Sequence, residues 1–374
     1  MLDQWLAQKL DDRKQKELLR TLPVNNNLTD FTSNDYLGLS RNQRLFEQIR
    51  NSVSNFPSLN GSTGSRLLSG NTVQIEEVEK KLASIFRSHS ALIFNSGYSA
   101  NLAVLSALPQ KDDTIIYDEL AHASIKDGAR LSLAKKYSFR HNDLQDLERK
   151  ISRSRGMVFV VVESIYSMDG DECPVDELVQ LAERLGFFII LDEAHSTGVR
   201  GPGGAGLAVE KSLQHKVDIR IYTFGKAMGV YGACVAGSPQ LISYLVNFAR
   251  PFIYTTAPPP YSVESIRCAF DFLSSNPVLQ ETLNNRIRSF LEGGECFANR
   301  TKSLSAIQTI IIPGNKAVRG TAEVLRQQGF DVRPIVSPTV APGSERLRIC
   351  LHTFNTDEEI RKLTHALEPY CDVL

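Results

Sequence analysis

Short apolar runs alternate with helix-period stretches through the middle of the chain. Between residues 74 and 238 the hydrophobic positions predict helices at Gln74–Arg87, Ser99–Ala107 and Asp176–Leu185. The apolar runs between and after them predict strands at Ala91–Phe94, Thr114–Tyr117, Met157–Glu163, Phe187–Asp192, Ile219–Phe224 and Ala233–Ala236. Strands that are apolar throughout and separated by helices are typical of a sheet buried on both faces. We therefore predict an α/β layered domain.

The two ends of the chain follow other patterns. The N-terminal stretch predicts an amphipathic helix, then a turn at Pro23 and a short extended segment around Phe31. After the proline cluster at 258–260 the pattern predicts a long helix Val278–Arg300, a strand Ala306–Ile312, a helix Ala317–Gln328, strands Asp331–Ile335 and Arg346–His352, and a last helix with a capping box at Thr356 and Glu359. We predict an N-terminal segment (1–45), a large domain (46–270) and a smaller α+β C-terminal domain (271–374).

Composition excludes several classes of protein. The 374 residues carry 42 Lys and Arg against 42 Asp and Glu, so the balanced charge gives no electrostatic reason to expect nucleic acid or an anionic membrane as partner. The longest apolar runs, Met157–Val162 and Phe187–Leu191, are far too short to cross a bilayer. The N-terminus has no continuous apolar stretch of the kind found in secretory signals, which indicates a cytoplasmic protein.

The cysteines support the same interpretation. They are widely scattered and form no C-x-x-C pair: Cys173, Cys234, Cys268, Cys296, Cys350 and Cys371. Such spacing favours neither a metal site nor a disulfide framework. We expect reduced thiols and no metal.

Three ionisable side chains follow the ends of predicted strands. The segment FFIILDEAHSTG places Asp192 and His195 after one apolar run, and YTFGKAMG places Lys226 after the next. Each has an ordinary alternative, such as a capped turn for Asp192 or a solvated loop for Lys226. Together they fit a pyridoxal phosphate site, in which the lysine forms a Schiff base and the carboxylate pairs with the pyridinium nitrogen.

The order and spacing of seven segments resemble one enzyme family. The segments NDYLGLS, GSTGSRLLSG, FNSGYSAN, HAS, SMDGD, LDEAHSTGV and TFGKAMG are similar to those of the α-oxoamine synthases. That resemblance implies a fold-type-I pyridoxal phosphate transferase, with a mainly parallel seven-stranded sheet between helices and an N-terminal helical segment. It implies a decarboxylating condensation of an amino acid with an acyl thioester. The similarity is greatest to the branch that joins L-alanine to a pimeloyl thioester, of coenzyme A or acyl carrier protein, in biotin biosynthesis.

The resemblance also implies roles for single residues around the cofactor. Ser96, Gly97 and Tyr98 open a helix whose N-terminal amides suit the phosphate. The remaining expected cofactor contacts are His122 stacked on the ring, Ser167 and His195 on the 3′ oxygen, Glu163 at the same strand end as Ser167, and Thr223 on the phosphate. Taken singly, each of these residues has a plain structural alternative.

Three further residues are expected to contact substrate or the second subunit. Thr256 matches a threonine that reaches the phosphate of the neighbouring subunit, which implies a homodimer with shared active sites. Arg348 matches the residue that pairs with the carboxylate of the amino acid. Arg20 lies near a position expected to meet the far carboxylate of the pimeloyl chain, although a solvated helix-end arginine fits equally well.

Lys226 is expected to act as general base, and His195 to polarise the thioester carbonyl.

Other functions stay open at this level. Relatives that use glycine with acetyl-CoA, glycine with succinyl-CoA or serine with a long acyl chain share the same chemistry, and the sequence departs from the expected pattern at Ile75 and at Ala227–Met228. The segment GPGGAG at 201–206 satisfies a dinucleotide-binding pattern, but it does not directly follow a predicted strand. A non-catalytic relative would be expected to lack Lys226.

Overall fold

A computed structural model of the chain describes residues 1–16, 18–20, 22, 27–54 and 60–370. Pro23 and Cys371, which the sequence analysis names, lie outside these residues. The strands are β1 Thr29–Asp30, β2 Ser90–Phe94, β3 Thr114–Asp118, β4 Lys135–Phe139, β5 Val158–Glu163, β6 Phe188–Asp192, β7 Ile219–Thr223, β8 Ala233–Gly237, β9 Ile307–Ile311, β10 Phe330–Asp331, β11 Arg333–Ile335 and β12 Arg346–Cys350.

Helices connect these strands and cover the sheets. They are α1 Leu2–Gln15, α2 Gln43–Val53, α3 Val73–Ile85, α4 Gly97–Ala107, α5 Ala123–Leu131, α6 Leu144–Ile151, α7 Val175–Leu185, α8 Leu207–Glu210, α9 Pro239–Phe248, α10 Arg250–Ile253, α11 Pro260–Ser275, α12 Val278–Gly293, α13 Asn315–Gln327 and α14 Asp357–Leu367. Within the described ranges, no helix combines the length and the apolar character that a membrane crossing requires.

The largest sheet has seven strands in the order β2-β8-β7-β6-β5-β3-β4. Its pairings are parallel except for those of β8, which runs antiparallel to both β2 and β7. Apolar clusters pack against both faces of this sheet, which explains why its central strands are apolar throughout. The predicted fold class, a mainly parallel seven-stranded sheet between helices, is confirmed.

A second, antiparallel sheet in the order β11-β12-β9 forms in the C-terminal part of the chain. The N-terminal segment joins this part, because β1 pairs with β10 in parallel. Helix α11 runs from Pro260 to Ser275 and so passes through the expected boundary at residue 270. The division into 1–45, 46–270 and 271–374 stays a prediction.

Several element boundaries differ from the expected ones, each for a local reason. Helix α12 ends at Gly293 and is followed by Gly294, rather than continuing to Arg300, since consecutive glycines favour a helix end. Strand β4 was not predicted because four of its five residues are exposed at the edge of the sheet. Helix α1 forms as predicted, but none of its residues is buried.

A buried ion pair holds β2 in place just before the turn into α4. Glu79 on α3 accepts hydrogen bonds from Arg66 Nη1 (2.8 Å) and Nη2 (3.0 Å). The same carboxylate accepts the backbone N–H of Ile93 on β2 at 2.8 Å. The side chains of Arg66 and Glu79 are only 9% and 11% exposed, so water can replace little of what either charge would lose without the other.

We expect Glu79→Ala to destabilise the fold by about 3–5 kcal/mol, because it leaves a buried guanidinium and a buried amide without their acceptor. Urea unfolding followed by circular dichroism measures this change. Glu148→Ala, which removes a solvent-exposed partner of Arg184, serves as the control and should hardly change the unfolding midpoint. Equal midpoints for the two variants would contradict the importance of the Glu79 pair.

Candidate active site

The carboxyl edge of the large sheet brings Asp192, His195 and Lys226 together. Asp192 ends β6, His195 lies in the turn that follows, and Lys226 lies in the loop after β7. The distance between Lys226 Nζ and His195 Nε2 is 2.8 Å. On the other side of the ring, His195 Nδ1 lies 2.8 Å from the hydroxyl of Tyr36.

A chain of hydrogen bonds runs from Arg348 through Asn34 and Tyr36 to His195. Because Arg348 can only donate, it determines the position of each proton along this chain. Arg348 Nη2 can only donate, and it lies 2.9 Å from Asn34 Oδ1. Tyr36 must then donate its single hydroxyl proton to the same oxygen, at 3.1 Å. His195 Nδ1–H consequently donates to Tyr36, which leaves a lone pair on Nε2 facing Lys226. The arrangement therefore orients a neutral imidazole as a hydrogen-bond acceptor for the lysine amine.

Burial and neighbouring charges support this neutral state. Burial lowers the pKa of His195 well below its ordinary value, and the positive charges of Lys226 and Arg348 lower it further. Burial also lowers the pKa of Lys226 to about 8, although the carboxylates of Asp192 and Glu163 act in the opposite direction. A considerable fraction of the amine is therefore neutral near pH 8 and able to act as a nucleophile or a base.

Two carboxylates lie side by side on neighbouring strands. Glu163 on β5 is in register with Asp192 on β6. Asp192 accepts hydrogen bonds from Asn101 Nδ2 (2.7 Å) and from the backbone N–H of Ala194 (2.9 Å). Burial, with the charge of Asp192, raises the pKa of Glu163 to about 8. Asp192 is thus held in place by two donors, while Glu163 is easily protonated.

His122 lies beside this pair at the start of α5. Its backbone N–H donates to Glu163 Oε1 at 2.5 Å, and its Nδ1 lies 2.8 Å from the hydroxyl of Ser124. The His122 side chain is exposed. Loss of hydration lowers the pKa of His122, and the charge of Lys226 acts in the same direction. A neutral imidazole with an accessible face suits stacking on an aromatic ring.

The turn between β2 and α4 forms a cradle of backbone amides. Ser96 caps α4 through a capping box with Ser99, which leaves the amides of Gly97 and Tyr98 in the first helical turn. A Cβ atom on residue 97 would overlap the Thr223 hydroxyl, so only glycine allows this close approach. The Tyr98 hydroxyl bonds to Asp127 and points this side chain away from the amides. The first amides of α4 and the Thr223 hydroxyl therefore lie side by side at a helix N-terminus, where they can donate to one anion.

Arg348 lies on β12, and several hydrogen bonds hold its guanidinium in place. Its Nε donates to the backbone carbonyl of Ser167 at 2.6 Å, and Nη1 lies 3.0 Å from Cys350 Sγ. Arg348 is 8% exposed, and its charge acts on both His195 and Lys226. The structure therefore brings Ser167 and Arg348 to the same site. The Ser167 contact, however, is made by its carbonyl oxygen.

Arg20 and Thr256 lie further from this cluster. Arg20 is exposed and lines a groove of about 430 Å³ together with Arg13, Arg319 and Arg333. One residue of its lining, Arg333 on β11, is the strand partner of Arg348 on β12. The Thr256 carbonyl accepts a hydrogen bond from Asn95 Nδ2 of the same chain at 3.1 Å. Asn95 is the residue directly before Ser96. The expected contact of Thr256 with a second subunit stays a prediction.

The glycine-rich segment at 201–206 has a structural role. It leads into the short helix α8, whose first amides, at Leu207 and Ala208, donate to the buried carboxylate of Glu193 at 2.8 and 2.9 Å. A protein carboxylate therefore takes the place that a dinucleotide phosphate would need.

Three residues of the site were not assigned roles from the sequence: Asn34, Tyr36 and Asn101. All three lie in the segments NDYLGLS and FNSGYSAN. Their places in segments that resemble those of a family could have indicated that they belong to the site. Their contacts could not be predicted, because residues such as Tyr36 and His195 are more than a hundred positions apart and no local sequence pattern joins them.

The residues of this edge fit pyridoxal phosphate. Lys226 offers an amine with a lowered pKa, and Asp192 is a 4% exposed carboxylate for a protonated ring nitrogen. The first amides of α4, with the Thr223 hydroxyl beside them, suit the phosphate, and His122 offers an accessible ring.

Comparison with known proteins agrees with this assignment. Residues 26–367 match the family described as aminotransferase class I and II. An 8-amino-7-oxononanoate synthase of Emericella nidulans is 37% identical, over 96% of this chain and 92% of that protein. The 8-amino-7-oxononanoate synthase 2 of Bacillus subtilis is also 37% identical, over 99% of this chain and 97% of that protein.

Solved structures share the fold over nearly the whole length. Serine palmitoyltransferase of S. paucimobilis, solved with a PLP–myriocin aldimine, superposes with a TM-score of 0.87 at 26% identity, covering 97% of this chain and 96% of that one. The 8-amino-7-oxononanoate synthase of Francisella tularensis superposes with a TM-score of 0.80 at 29% identity, covering 92% and 98%.

These matches confirm the resemblance to the α-oxoamine synthases, the fold-type-I architecture and the dependence on pyridoxal phosphate. The predicted roles of single residues stay predictions that the geometry supports. The chain therefore belongs to the aminotransferase class I and II family.

Proposed function

We propose that this enzyme condenses L-alanine with a pimeloyl thioester, releasing carbon dioxide and the thiol carrier, to give 8-amino-7-oxononanoate for biotin biosynthesis. The observation that carries the proposal is the contact of Lys226 with His195, inside a cluster that also holds Asp192 and Arg348. The names of the relatives at 37% identity over nearly the full length support the choice of substrates.

Pyridoxal phosphate, when bound, supplies an aldehyde for the amino group of the substrate and a ring that stabilises negative charge at its α-carbon. The chain supplies the surroundings. Asp192 would hold a proton on the ring nitrogen, His122 would cover one face of the ring, and the amides of Gly97 and Tyr98 with Thr223 would bind the phosphate.

Arg348 binds the carboxylate of the amino acid in this proposal. Its guanidinium is already oriented by Ser167 and Asn34, so binding a carboxylate costs little conformational entropy. A fixed carboxylate determines which bond of the α-carbon faces Lys226. The same arginine therefore sets the stereochemistry of proton removal.

Lys226 moves the proton. About half of its amine is neutral at pH 8, and His195 accepts a hydrogen bond from it, which holds the nitrogen lone pair in a fixed direction. The role predicted for His195, polarising the thioester carbonyl, requires a proton on Nε2, because the unprotonated nitrogen only accepts; Lys226, 2.8 Å away, is positioned to supply that proton.

The groove lined by arginines supports an anionic acyl substrate. In the described part of the chain its lining includes four arginines and no Asp or Glu. We propose that Arg20 meets the far carboxylate of the pimeloyl chain there. The identity of the thiol carrier, coenzyme A or acyl carrier protein, stays open.

We further propose a cytoplasmic homodimer in which Thr256 contacts the phosphate site of the second subunit. Several large side chains are exposed on a single chain, among them Leu68 (84%), Tyr254 (73%) and Tyr231 (58%). Burial of such side chains against a second copy would favour association.

The lowered pKa of Lys226 predicts how attachment of the cofactor depends on pH. The neutral amine is the nucleophile, so the rate at which the apoprotein binds pyridoxal phosphate covalently should rise with pH and level off above about pH 8. Stopped-flow absorbance of apoprotein mixed with cofactor measures this rate. A rate that keeps rising through pH 10 would show that the amine is not desolvated as described.

Gly97→Ala should weaken binding of pyridoxal phosphate by at least about tenfold, because the added Cβ overlaps the Thr223 hydroxyl and pushes this proposed phosphate donor away from the helix N-terminus. Binding of pyridoxal, which has no phosphate, should change much less. Gly320→Ala is a matched control, since a Cβ there meets no atom within 4 Å. Equal losses for the two ligands would place the phosphate elsewhere.

A substrate panel tests the proposed reaction. Alanine, glycine and serine are each combined with pimeloyl, acetyl, succinyl and palmitoyl thioesters of coenzyme A, and products are identified by mass spectrometry. We expect 8-amino-7-oxononanoate from alanine and the pimeloyl thioester at the highest kcat/KM. Turnover of serine with the palmitoyl thioester, without product from alanine, would assign the chain to a different member of the family.

The same panel tests Arg20 through a pair of acyl chains. Arg20→Ala should raise the KM for the pimeloyl thioester by about tenfold, the effect of losing one charge-assisted contact. The KM for the heptanoyl thioester, which lacks the far carboxylate, should not change. Equal KM changes for both acyl chains would remove Arg20 from the site.

A further inference from the structure

A histidine outside the cofactor cluster connects two of the loops that build it. His141 follows β4, and its ring lies between two carboxylates. The distance from Nδ1 to Asp118 Oδ1 is 2.9 Å, and the distance from Nε2 to Asp171 Oδ2 is 2.7 Å. Both ring nitrogens donate, so the imidazole is doubly protonated. Burial alone would lower the pKa of His141, but the two carboxylates outweigh burial and raise it to about 10.

The first carboxylate holds the turn that delivers His122. Asp118 ends β3 and is completely buried. Its Oδ1 accepts the backbone N–H of Leu120 at 2.8 Å, and its carbonyl accepts the N–H of Ala121 at 2.9 Å. His122 is the next residue of the chain. The direction of the His122 ring therefore depends on where Asp118 is fixed.

The second carboxylate holds the hairpin that delivers Ser167. Asp171 belongs to the SMDGD segment, whose function the cofactor cluster does not explain. The hairpin closes through the pairing of Ile165 with Glu172 and a hydrogen bond from Tyr166 N–H to the Asp171 carbonyl (3.0 Å). Between these residues lies Ser167, whose carbonyl accepts from Arg348.

Asn142 and Tyr166 complete the connection. The backbone N–H of Asn142 donates to Asp118 Oδ2, and its side chain donates to Asp171 Oδ2, each at 2.9 Å. The ring of Tyr166 packs perpendicular to that of His141, with 4.5 Å between centroids. Both loops are therefore fastened to the same residue pair, His141 and Asn142.

We infer that His141 is a positioning residue, which sets the spacing between the loop carrying His122 and the hairpin carrying Ser167 and thereby orients the cofactor ring relative to Arg348. The inference rests on the proposed function, because His122 and Arg348 matter only if the cofactor and an amino acid bind there. A residue that served only folding would lower stability without changing the bound cofactor.

Two adjacent carboxylates of the hairpin offer a matched test. Asp171→Asn removes the negative charge that faces His141, whereas Glu172→Gln removes the negative charge that faces Arg200 and Lys211. We expect Asp171→Asn to change the visible circular dichroism of bound cofactor and to raise the KM for alanine about tenfold, the worth of one charged hydrogen bond. Glu172→Gln should leave both quantities unchanged. Thermal unfolding of both variants measures stability separately.

Substitution of His141 itself provides the rescue. His141→Gln removes the charge and one donor, and we expect it to change the same dichroism band and the same KM. His141→Lys keeps a cation and should restore part of both. If Asp171→Asn and His141→Gln lower only the unfolding temperature, or if Glu172→Gln has the same effects as Asp171→Asn, the positioning role is wrong. If wild-type enzyme makes no product from alanine with any acyl donor, the proposed function fails, while the dichroism still reports whether His141 orients the cofactor.

Discussion

The rest of the site depends on the burial of the Lys226 amine beside two carboxylates. Burial disfavours the charged form of Lys226, and Asp192 and Glu163 favour it, so the two effects leave its pKa near 8 rather than near the usual value of a lysine. The amine is therefore available for covalent chemistry and for moving a proton at ordinary pH. A lysine in open solvent would be protonated and inert under the same conditions.

The neighbouring groups orient the Lys226 amine and keep its partner His195 in one tautomer. Arg348 fixes the oxygen of Asn34, which fixes the proton of Tyr36, which in turn fixes the tautomer of His195. Since each step depends on a group that can only donate or has a single proton, the order of donors follows from chemistry. The residue proposed to bind substrate is thus connected to the residue proposed to move the proton.

The sequence predicted the sheet and the groups at its carboxyl edge because both follow from local patterns. Apolar strands separated by helices indicate a parallel sheet, and parallel strands bring Asp192 and Lys226 to one edge wherever the helices lie. Strand β4 escaped prediction because its polar residues face solvent at the sheet edge. The contacts of Tyr36, Asn101 and His141 could not be predicted, since each joins parts of the chain that only the fold brings together.

The most direct test of the central claim is the site of covalent attachment. The purified enzyme, treated with borohydride and digested, should yield one peptide that carries a pyridoxyl group, and tandem mass spectrometry should place that group on Lys226. The modification should be absent from Lys226→Ala and retained in the control variant Lys216→Ala. Lys216 is a surface lysine paired with Glu183. A pyridoxyl group on another lysine, or equal labelling of Lys226→Ala, would contradict the account.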